Sequence, residues 1–302
     1  MSGPLFGAPR PGRFLCVGDV MRDVVVRPEG AMIRGADRRA HIEIIPGGAA
    51  ANQAAWLAAL GAPAALVSRV GAADMAEIEA GLSAAGVTPI LSADPGAPTG
   101  AVVAQIDPDD GQRSFFTSRG ANDRLCPADL SPALLDGACA LVVSGYALVA
   151  EGPRIAVADL IGAARARALP VIVDPGSASF LAEIGPERFF AAIDGVQMLF
   201  PNRDEAAALT GSEDRAAQEA ALAARAGAVI LKDGAGEAAL LTGGTRIAAA
   251  PPPARALDTT GAGDSFLAGF LAAWARGAAP GACLAAGHAA AGRAVTRFGA
   301  RP

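Results

Sequence analysis

The segment Asp258-Thr259-Thr260-Gly261-Ala262-Gly263-Asp264 places a glycine turn and an acid where a helical pattern begins. The first N–H groups of a helix lack internal partners, and this end carries about +0.5 charge, so it binds anions. Asp264 lies on the same turn and could accept a proton from a hydroxyl held beside the anion. An anion hole next to a base is what phosphoryl transfer to an alcohol requires.

The same turn has simpler interpretations. Residues 261–263 could form only a tight turn, with Asp264 facing the helix dipole. Gly-Ala-Gly is also part of a dinucleotide fingerprint, but no strand directly precedes it and the third glycine is absent. The P-loop pattern GxxxxGKS does not occur. The turn alone therefore leaves a catalytic and a structural role open.

The elements that must position this turn alternate between strands and helices along most of the chain. Strand patterns lie at 13–18, 64–70, 140–145, 171–174, 196–200 and 228–232. Helical stretches of ~10–15 residues between such strands predict parallel βαβ units. The expected fold class is α/β, with a doubly wound, mainly parallel sheet. No long linker divides residues 1–302, so we expect a single domain.

Two polar segments, 20–46 and 99–117, interrupt this alternation. Val24–Val26 and residues 41–45 are strand candidates in the first segment. The second segment has two strand candidates around a turn predicted at 107–111. We expect the two segments to form a small β-sheet lid over one edge of the crevice.

Composition excludes several classes of protein. The formal net charge is −5, with no basic domain or stripe, so a nucleic-acid partner is not expected. The four cysteines form no CxxC pair, which argues against a zinc site and for reduced thiols. No signal peptide and no apolar run of ~18 residues is recognised. A cytoplasmic protein without a membrane partner is the expectation.

Five motifs resemble those of the ribokinase-like, PfkB-type carbohydrate kinases. They are VGD at 17–19, GGAAANQA at 47–54, PNRDE at 201–205, DTTGAGD at 258–264 and AGHAAAGRAVTRFGA at 286–300. The motifs occur in family order and span roughly residues 13 to 300. The resemblance implies the doubly wound fold with a lid, and an ATP-dependent phosphotransferase acting on a sugar alcohol.

The resemblance also implies roles for individual residues. Asp264 corresponds to the general base, and the N–H groups of Ala262, Gly263 and Asp264, in the turn that Gly261 begins, correspond to the anion hole for the transferring phosphoryl group. Asp19, Gly47, Gly48 and Asn52 correspond to the substrate cradle. Asp19 could otherwise cap a loop, and Asn52 could be an ordinary polar residue of a first helical turn.

The nucleotide side is assigned in the same way. Asn202 and Glu205 resemble the NxxE element that orders Mg²⁺ through water, although the pair could only cap a helix. Lys232 and Gly234 resemble the nucleotide loop, with Glu237 where a glycine is common. His288 resembles a residue beside the adenine, or is simply a packed histidine. ATP and Mg²⁺ are the implied cofactors.

A monovalent cation, K⁺ in particular, is a further implied cofactor. Asp258 and Thr260 resemble ligands of the family's monovalent cation site. Because the resemblance does not fix a K⁺ requirement, it remains an open expectation.

The acceptor is left open by the sequence. A ribose-like pentose ranks first, a nucleoside (adenosine, inosine or pseudouridine) second and 2-keto-3-deoxygluconate third. The acid is suggested by arginines in or near the lid: Arg34, Arg38, Arg39, Arg113 and Arg119. A catalytically silent ATP or sugar sensor is the alternative from another functional class.

A homodimer through the lid is also expected. Apolar residues of the lid strands would supply the contact surface. The residues of this surface are Val24, Val25, Val26, Ile42, Ile44 and Ile45.

Overall fold

The computed structural model describes residues 7–107 and 113–302, and for Arg113 only the backbone. Its strands are, in chain order, β1 (Arg13–Val17), β2 (Met21–Pro28), β3 (Ala40–Gly47), β4 (Ala64–Gly71), β5 (Val87–Asp94), β6 (Gly100–Ile106), β7 (Arg113–Ser118), β8 (Ala138–Ser144), β9 (Val171–Asp174), β10 (Met198–Leu199), β11 (Ala228–Leu231), β12 (Ala238–Thr242) and β13 (Thr245–Ala249). Its α-helices are α1 (Ala49–Ala59), α2 (Met75–Ala84), α3 (Glu151–Ala166), α4 (Ala178–Ile184), α5 (Pro186–Ala192), α6 (Arg203–Thr210), α7 (Arg215–Ala223), α8 (Ala262–Ala275) and α9 (Pro280–Val295).

Nine of these strands form the main sheet, in the order β13-β12-β11-β10-β9-β8-β1-β4-β5. The strands from β11 to β5 run parallel, and β12 and β13 are antiparallel additions at one edge. β1 lies between β4 and β8, where the chain order along the sheet reverses. Ligands of open α/β sheets bind outside the carboxyl ends of the strands at such a reversal.

Helices cover both faces of the sheet, as the doubly wound prediction requires. α1, α2, α8 and α9 contribute to the apolar core on one face, and α3 to α7 contribute to the core on the other. All seven residues of β8 (ACALVVS) are buried, which explains its continuous apolar run. The predicted fold class is confirmed.

The two polar segments pair as predicted in a separate sheet, with strand order β3-β2-β6-β7. β2 and β6 are parallel, and the outer pairs are antiparallel. Apart from Asp107, the turn predicted at 107–111 lies outside the described residues. We refer to this four-stranded sheet as the lid.

The apolar residues of the lid lie on two faces, so their prediction as one surface is wrong. Side chains alternate along a strand, and the register pairs Val24 with Ile44 and Val103, and Val103 with Phe116. On this outer face Ile44 and Phe116 are 63% and 64% exposed. Val25 and Ile45 point to the opposite face and line a cavity beneath it.

Three elements were not predicted from the sequence. α4 and α5 have seven residues each, too few for a helical period to stand out, and they meet at Gly185, whose φ is +82°. β13 follows β12 through Gly243 and Gly244, which both have positive φ and form the hairpin turn. The strand predicted at 196–200 is only Met198–Leu199.

Candidate functional site

A cleft of about 1320 Å³ separates the lid from the carboxyl ends of the parallel strands. With the exception of Gly47, the site residues predicted from the sequence all line it. They come from segments that follow β1, β3 and β11, from the segment before α8, from the starts of α1, α6 and α8, and from α9. The topology therefore brings together residues that are distant in the sequence.

The start of α8 forms the floor of this cleft. Gly261 is its N-cap, with the left-handed φ of +74°, and a Cβ there would lie 2.7 Å from the Ala300 Cα and O. Only glycine suits both constraints. The Ala262 N–H donates to the Thr259 carbonyl at 3.2 Å, so the predicted anion hole narrows to the N–H groups of Gly263 and Asp264. Both stand in the first helical turn, where no carbonyl four residues back lies within the helix.

Two amides of α1 hold the carboxylate of Asp264. Asn52 Nδ2 donates to its Oδ2 at 3.1 Å, and Gln53 Nε2 donates to its Oδ1 at 3.0 Å. Burial raises the pKa of Asp264 to about 7, and the nearby Asp174 carboxylate adds to the rise, while both amides oppose it. The site therefore contains a half-buried acid whose pKa is near neutrality, as general-base chemistry requires. Gln53 was quoted within the sequence motif but given no role.

Asp19 acts as a cap for α1. Its carboxylate accepts hydrogen bonds from the N–H groups of Ala49 at 3.1 Å and Ala50 at 3.4 Å, and from Ser144 Oγ at 3.0 Å. The N-cap residue itself, Gly48, has no side chain to do this. The loop-capping interpretation of Asp19 thus matches the geometry, although Asp19 also lines the cleft.

Asp23 was missed by the sequence interpretation. It lies on β2 and faces the cleft, and its carboxylate has no hydrogen-bond partner among the described residues. The carboxylate rests against the Cα of Gly47, where any Cβ would clash with it. Burial, with the nearby Asp19, raises its pKa to about 6. The sequence offers one signal for Asp23, because it is an acidic residue within a predicted strand segment, four residues after Asp19.

A buried cation lies on the nucleotide side. Lys232 Nζ donates to Asp174 Oδ2 at 3.1 Å, and a Cβ on Gly263 would lie 3.4 Å from the same Nζ. The ammonium group is therefore adjacent to the anion hole. Burial alone would lower the pKa of Lys232, but Asp174 and Glu205 raise it, so the side chain stays charged. Asp174 had not been predicted as a site residue.

Asn202 and Glu205 form a complete capping box at the start of α6. Glu205 N–H donates to Asn202 Oδ1 at 2.8 Å, and Asn202 N–H donates to Glu205 Oε2 at 2.9 Å. Asn202 Nδ2 also donates to Oε1 at 2.7 Å. Burial raises the pKa of Glu205. The capping interpretation holds, and the carboxylate nevertheless lines the cleft.

These groups suit an Mg²⁺ ion that is bound through water molecules. They do not suit an ion that several protein side chains coordinate directly. Over residues 7–107 and 113–302, no three His, Cys, Asp or Glu side chains are grouped so that they could hold a metal ion. Glu205 offers a carboxyl edge with remaining lone pairs beside Asp174 and Lys232. Mg²⁺ commonly keeps several waters and takes one or two carboxylates plus substrate phosphates, which suits this donor set.

The remaining nucleotide and cation candidates have other partners. His288 Nε2 is 2.8 Å from the Ala249 carbonyl, and burial lowers the pKa of this histidine, which is therefore neutral. Gly234 has φ +50° in the turn after β11. Asp258 accepts from the N–H groups of Thr260 at 2.8 Å and Gly299 at 3.2 Å.

Among the arginines noted in the sequence, the Arg113 side chain lies outside the described part of the structure, and of the other four Arg119 reaches the cleft. Arg34, Arg38 and Arg39 are exposed, so they do not form a substrate pocket. Arg119 is 92% buried, packs over the Tyr146 ring at 5.4 Å and donates through Nε to Asp123 at 3.2 Å. Its Nη1 is 3.9 Å from Asp19, beyond hydrogen-bond distance. The terminal nitrogens of its guanidinium therefore face the cleft without a hydrogen-bond acceptor among the described residues.

Within the described ranges, no helix has the length and apolarity needed to span a lipid bilayer.

The chain is similar to known kinases over almost its whole length. The model of the pfkB family carbohydrate kinases matches residues 12–302. A curated relative, the bifunctional protein HldE of Azorhizobium caulinodans, is 31% identical over 94% of this chain and 60% of its own length. The chain thus spans about 60% of that relative.

Solved structures of kinases share the fold of this chain. Arabidopsis thaliana ribokinase, solved with ribose and ATP, is 28% identical, with a TM-score of 0.79 over 96% of this chain and 94% of that one. An Escherichia coli putative ribokinase II, solved with ATP and Mg²⁺, shares the fold with a TM-score of 0.84 at 21% identity, over 96% and 94% of the two chains. Together with the acid at the start of α8, these matches identify the chain as a member of the pfkB family of carbohydrate kinases.

Proposed function

We propose that the chain transfers the γ-phosphoryl group of ATP to a hydroxymethyl-type alcohol of a small sugar, with Asp264 as the general base. The observation that carries the proposal is the position of the Asp264 carboxylate. Two amides fix it in the cleft, beside the first N–H groups of α8 and the Lys232 ammonium group.

Asp264 takes the proton of the attacking hydroxyl in this proposal. Burial and the neighbouring Asp174 bring its pKa to about 7, so it is ionised in a large fraction of molecules at neutral pH. Asn52 and Gln53 fix both carboxylate oxygens. The carboxylate then loses little orientational freedom as the proton moves.

The transferring phosphoryl group is stabilised by the anion hole and by Lys232. The N–H groups of Gly263 and Asp264 and the positive end of α8 attract the charge that develops on it. Lys232 adds a full charge and stays protonated because Asp174 is 3.1 Å away. Glu205 would hold Mg²⁺ through water, and the bound ion would neutralise phosphate charge during transfer.

The acceptor is bound by hydroxyl-binding groups. The Asp23 carboxylate lines the cleft and has no hydrogen-bond partner in the described part of the chain, whereas Asp19 already accepts three hydrogen bonds. A site built to bind hydroxyls rejects analogues that lack them. These groups support a neutral, ribose-like pentose as the first choice, and a nucleoside with the same diol as the second.

An acidic sugar is the competing acceptor, and Arg119 favours it. Its terminal nitrogens line the cleft, and a guanidinium binds carboxylates in a two-pronged geometry. 2-Keto-3-deoxygluconate carries a carboxylate that Arg119 would bind in this way. The carboxylates of Asp19 and Asp23, which lie in the same half of the cleft, would repel the carboxylate of such a sugar.

Two further features are proposed from the family resemblance. Asp258 and Thr260 would belong to a monovalent cation site that K⁺ occupies. The outer face of the lid would pair with the same face of a second copy, which gives a homodimer.

A substrate panel tests the proposal. ATP is incubated with ribose, pseudouridine or 2-keto-3-deoxygluconate, with Mg²⁺, in K⁺ and in Na⁺ buffers, and the products are measured by mass spectrometry. A phosphorylated sugar supports the kinase, and the highest kcat/KM identifies the acceptor class. ATP binding without transfer to any member would contradict the proposed enzyme and favour the sensor.

A further inference from the structure

Arg301 lies outside every motif assigned from the sequence, yet it reaches the start of α1. Its Nη2 donates to the Gly47 carbonyl at 3.1 Å, and its Nε donates to Asn52 Oδ1 at 3.4 Å. Asn52 in turn donates to Asp264 at 3.1 Å. A single guanidinium thus contacts both Gly47, the last residue of β3, and the amide that holds the proposed base.

We propose that Arg301 is a positioning residue, which fixes the side-chain amide of Asn52 so that its Nδ2 points at Asp264. The inference rests on the proposed role of Asp264 as the base. Arg301 does not line the cleft and does not itself contact the acceptor in this proposal. It acts through Asn52, and it also holds the Gly47 carbonyl at the edge of the substrate cradle.

The orientation follows from the hydrogen-bonding capacity of the three groups. A guanidinium only donates, an ionised carboxylate only accepts, and an asparagine amide has one end of each kind. The order Arg301–Asn52–Asp264 therefore permits one orientation of the amide. In the flipped orientation the Asn52 NH₂ would face the guanidinium, with two donors opposed.

The consequence concerns the protonation of Asp264. A protonated carboxyl group could donate to a flipped Asn52 Oδ1, so a freely turning amide would stabilise the acid form. Arg301 prevents this flip and thereby favours the ionised base. Other groups act on the same carboxylate: Asp174, Asp19, Lys232, Tyr146 and Gln53. Asp23 lies beside Arg301 and receives part of its charge effect.

The test must separate orientation from simple charge. Arg301→Met removes the donors and the charge while it keeps most of the side-chain volume, and Arg301→Lys keeps a cationic donor. Asn52→Ala removes the intermediate residue. Arg293→Met is the matched control, because Arg293 is an exposed arginine over the Trp56 ring and does not contact α8's first turn.

The pKa of Asp264 is measured directly, by NMR titration of ¹³Cγ-labelled aspartate with Asp264→Asn as the assignment control. We expect Arg301→Met to raise this pKa by about one unit, Arg301→Lys to shift it less and Arg293→Met to leave it unchanged. In the Asn52→Ala background, Arg301→Met should add almost nothing. This titration needs no substrate, so it judges the inference even if no sugar is phosphorylated.

Turnover provides the second readout. In Arg301→Met, kcat/KM should fall about tenfold near pH 6 and recover towards the wild-type value near pH 9, since a one-unit shift of the base has this effect. The KM for ATP should not change. An unshifted Asp264 pKa in Arg301→Met, or an equal shift with and without Asn52, would overturn the inference.

Discussion

Asn52 Nδ2 and Asp264 Oδ2 are joined by a 3.1 Å hydrogen bond, although the two residues are 212 positions apart. The bond links the start of α1 to the start of α8, two helices on the same face of the sheet. Through this bond the side-chain amide of Asn52, in one motif, contacts the carboxylate of Asp264, in another. Two of the five motifs that resemble the family, at 47–54 and 258–264, are therefore parts of one hydrogen-bonded unit.

The half-buried Asp264 should make the free energy of unfolding fall as pH rises towards neutrality. Its folded-state pKa, about 7, lies above its unfolded value, so the folded state binds more protons between these values and loses stability as pH rises through that window. Asp264→Asn removes this effect. We expect the Tm of the mutant, relative to wild type, to rise from pH 5 to pH 8. Asp159→Asn, on the exposed face of α3, is the control. A relative Tm that does not change with pH would contradict the half-buried, shifted carboxyl group.

Glu205→Gln should raise the Mg²⁺ requirement by about 10–100-fold, which is the usual cost of losing an outer-shell partner. A glutamine at this position can still accept from the Asn202 N–H, so the capping box and the fold should persist. The measurement is kcat against Mg²⁺ concentration, with the exposed Glu213→Gln as the control. A large rise of the acceptor KM at unchanged Mg²⁺ dependence would show that the assignment is wrong.

The outer face of the lid should hold two copies together. Ile44→Glu places a charge at the centre of this face, next to Val24 across the ladder, and should convert a dimer to a monomer. Ile155→Glu is matched to it, because Ile155 is a similarly exposed residue, at 54%, on α3. Light scattering at micromolar concentration measures the mass. A monomeric wild type, or a dimeric Ile44→Glu, would refute this interface.

Asp23 and Arg119 should affect different acceptors. Asp23→Asn should lower kcat/KM for ribose about 10–100-fold, the effect of losing a hydrogen bond to a charged group, with little change in the KM for ATP. Arg119→Gln should leave ribose turnover within a few-fold and reduce only the turnover of an acid. Equal losses on every acceptor in Arg119→Gln would instead mean that Arg119 acts on the phosphoryl group.

Sequence patterns sufficed for the sheet, because buried parallel strands are continuous apolar runs and the helices between them are long. They also placed Asp264 at the start of a helix after two glycines, whereas its role as the base came from the family resemblance and stays a proposal. They did not reveal Asp23, whose partner Gly47 is adjacent only through β2–β3 pairing. Nor did they reveal Arg301, since its contacts with α1 join residues about 250 positions apart.

Asp19 also shows what sequence patterns cannot predict, namely which hydrogen bonds a carboxylate makes in the folded chain. The resemblance assigns it to substrate hydroxyls, whereas its oxygens accept from Ala49, Ala50 and Ser144. Which lone pairs of a carboxylate remain available depends on backbone N–H groups that only the folded chain brings near. A motif therefore identifies the acid but not the fraction of its bonding capacity that is left for a ligand.

The central claim is that Asp264 is the base of ATP-dependent sugar phosphorylation. The most direct test is kcat of wild type and Asp264→Asn on the best acceptor of the panel, with folding checked by circular dichroism and ATP binding by calorimetry. We predict that the mutant folds and binds ATP but loses about 10²–10⁴-fold in kcat. A folded mutant that retains more than about half of the wild-type kcat would contradict the claim, because general-base catalysis contributes far more than this.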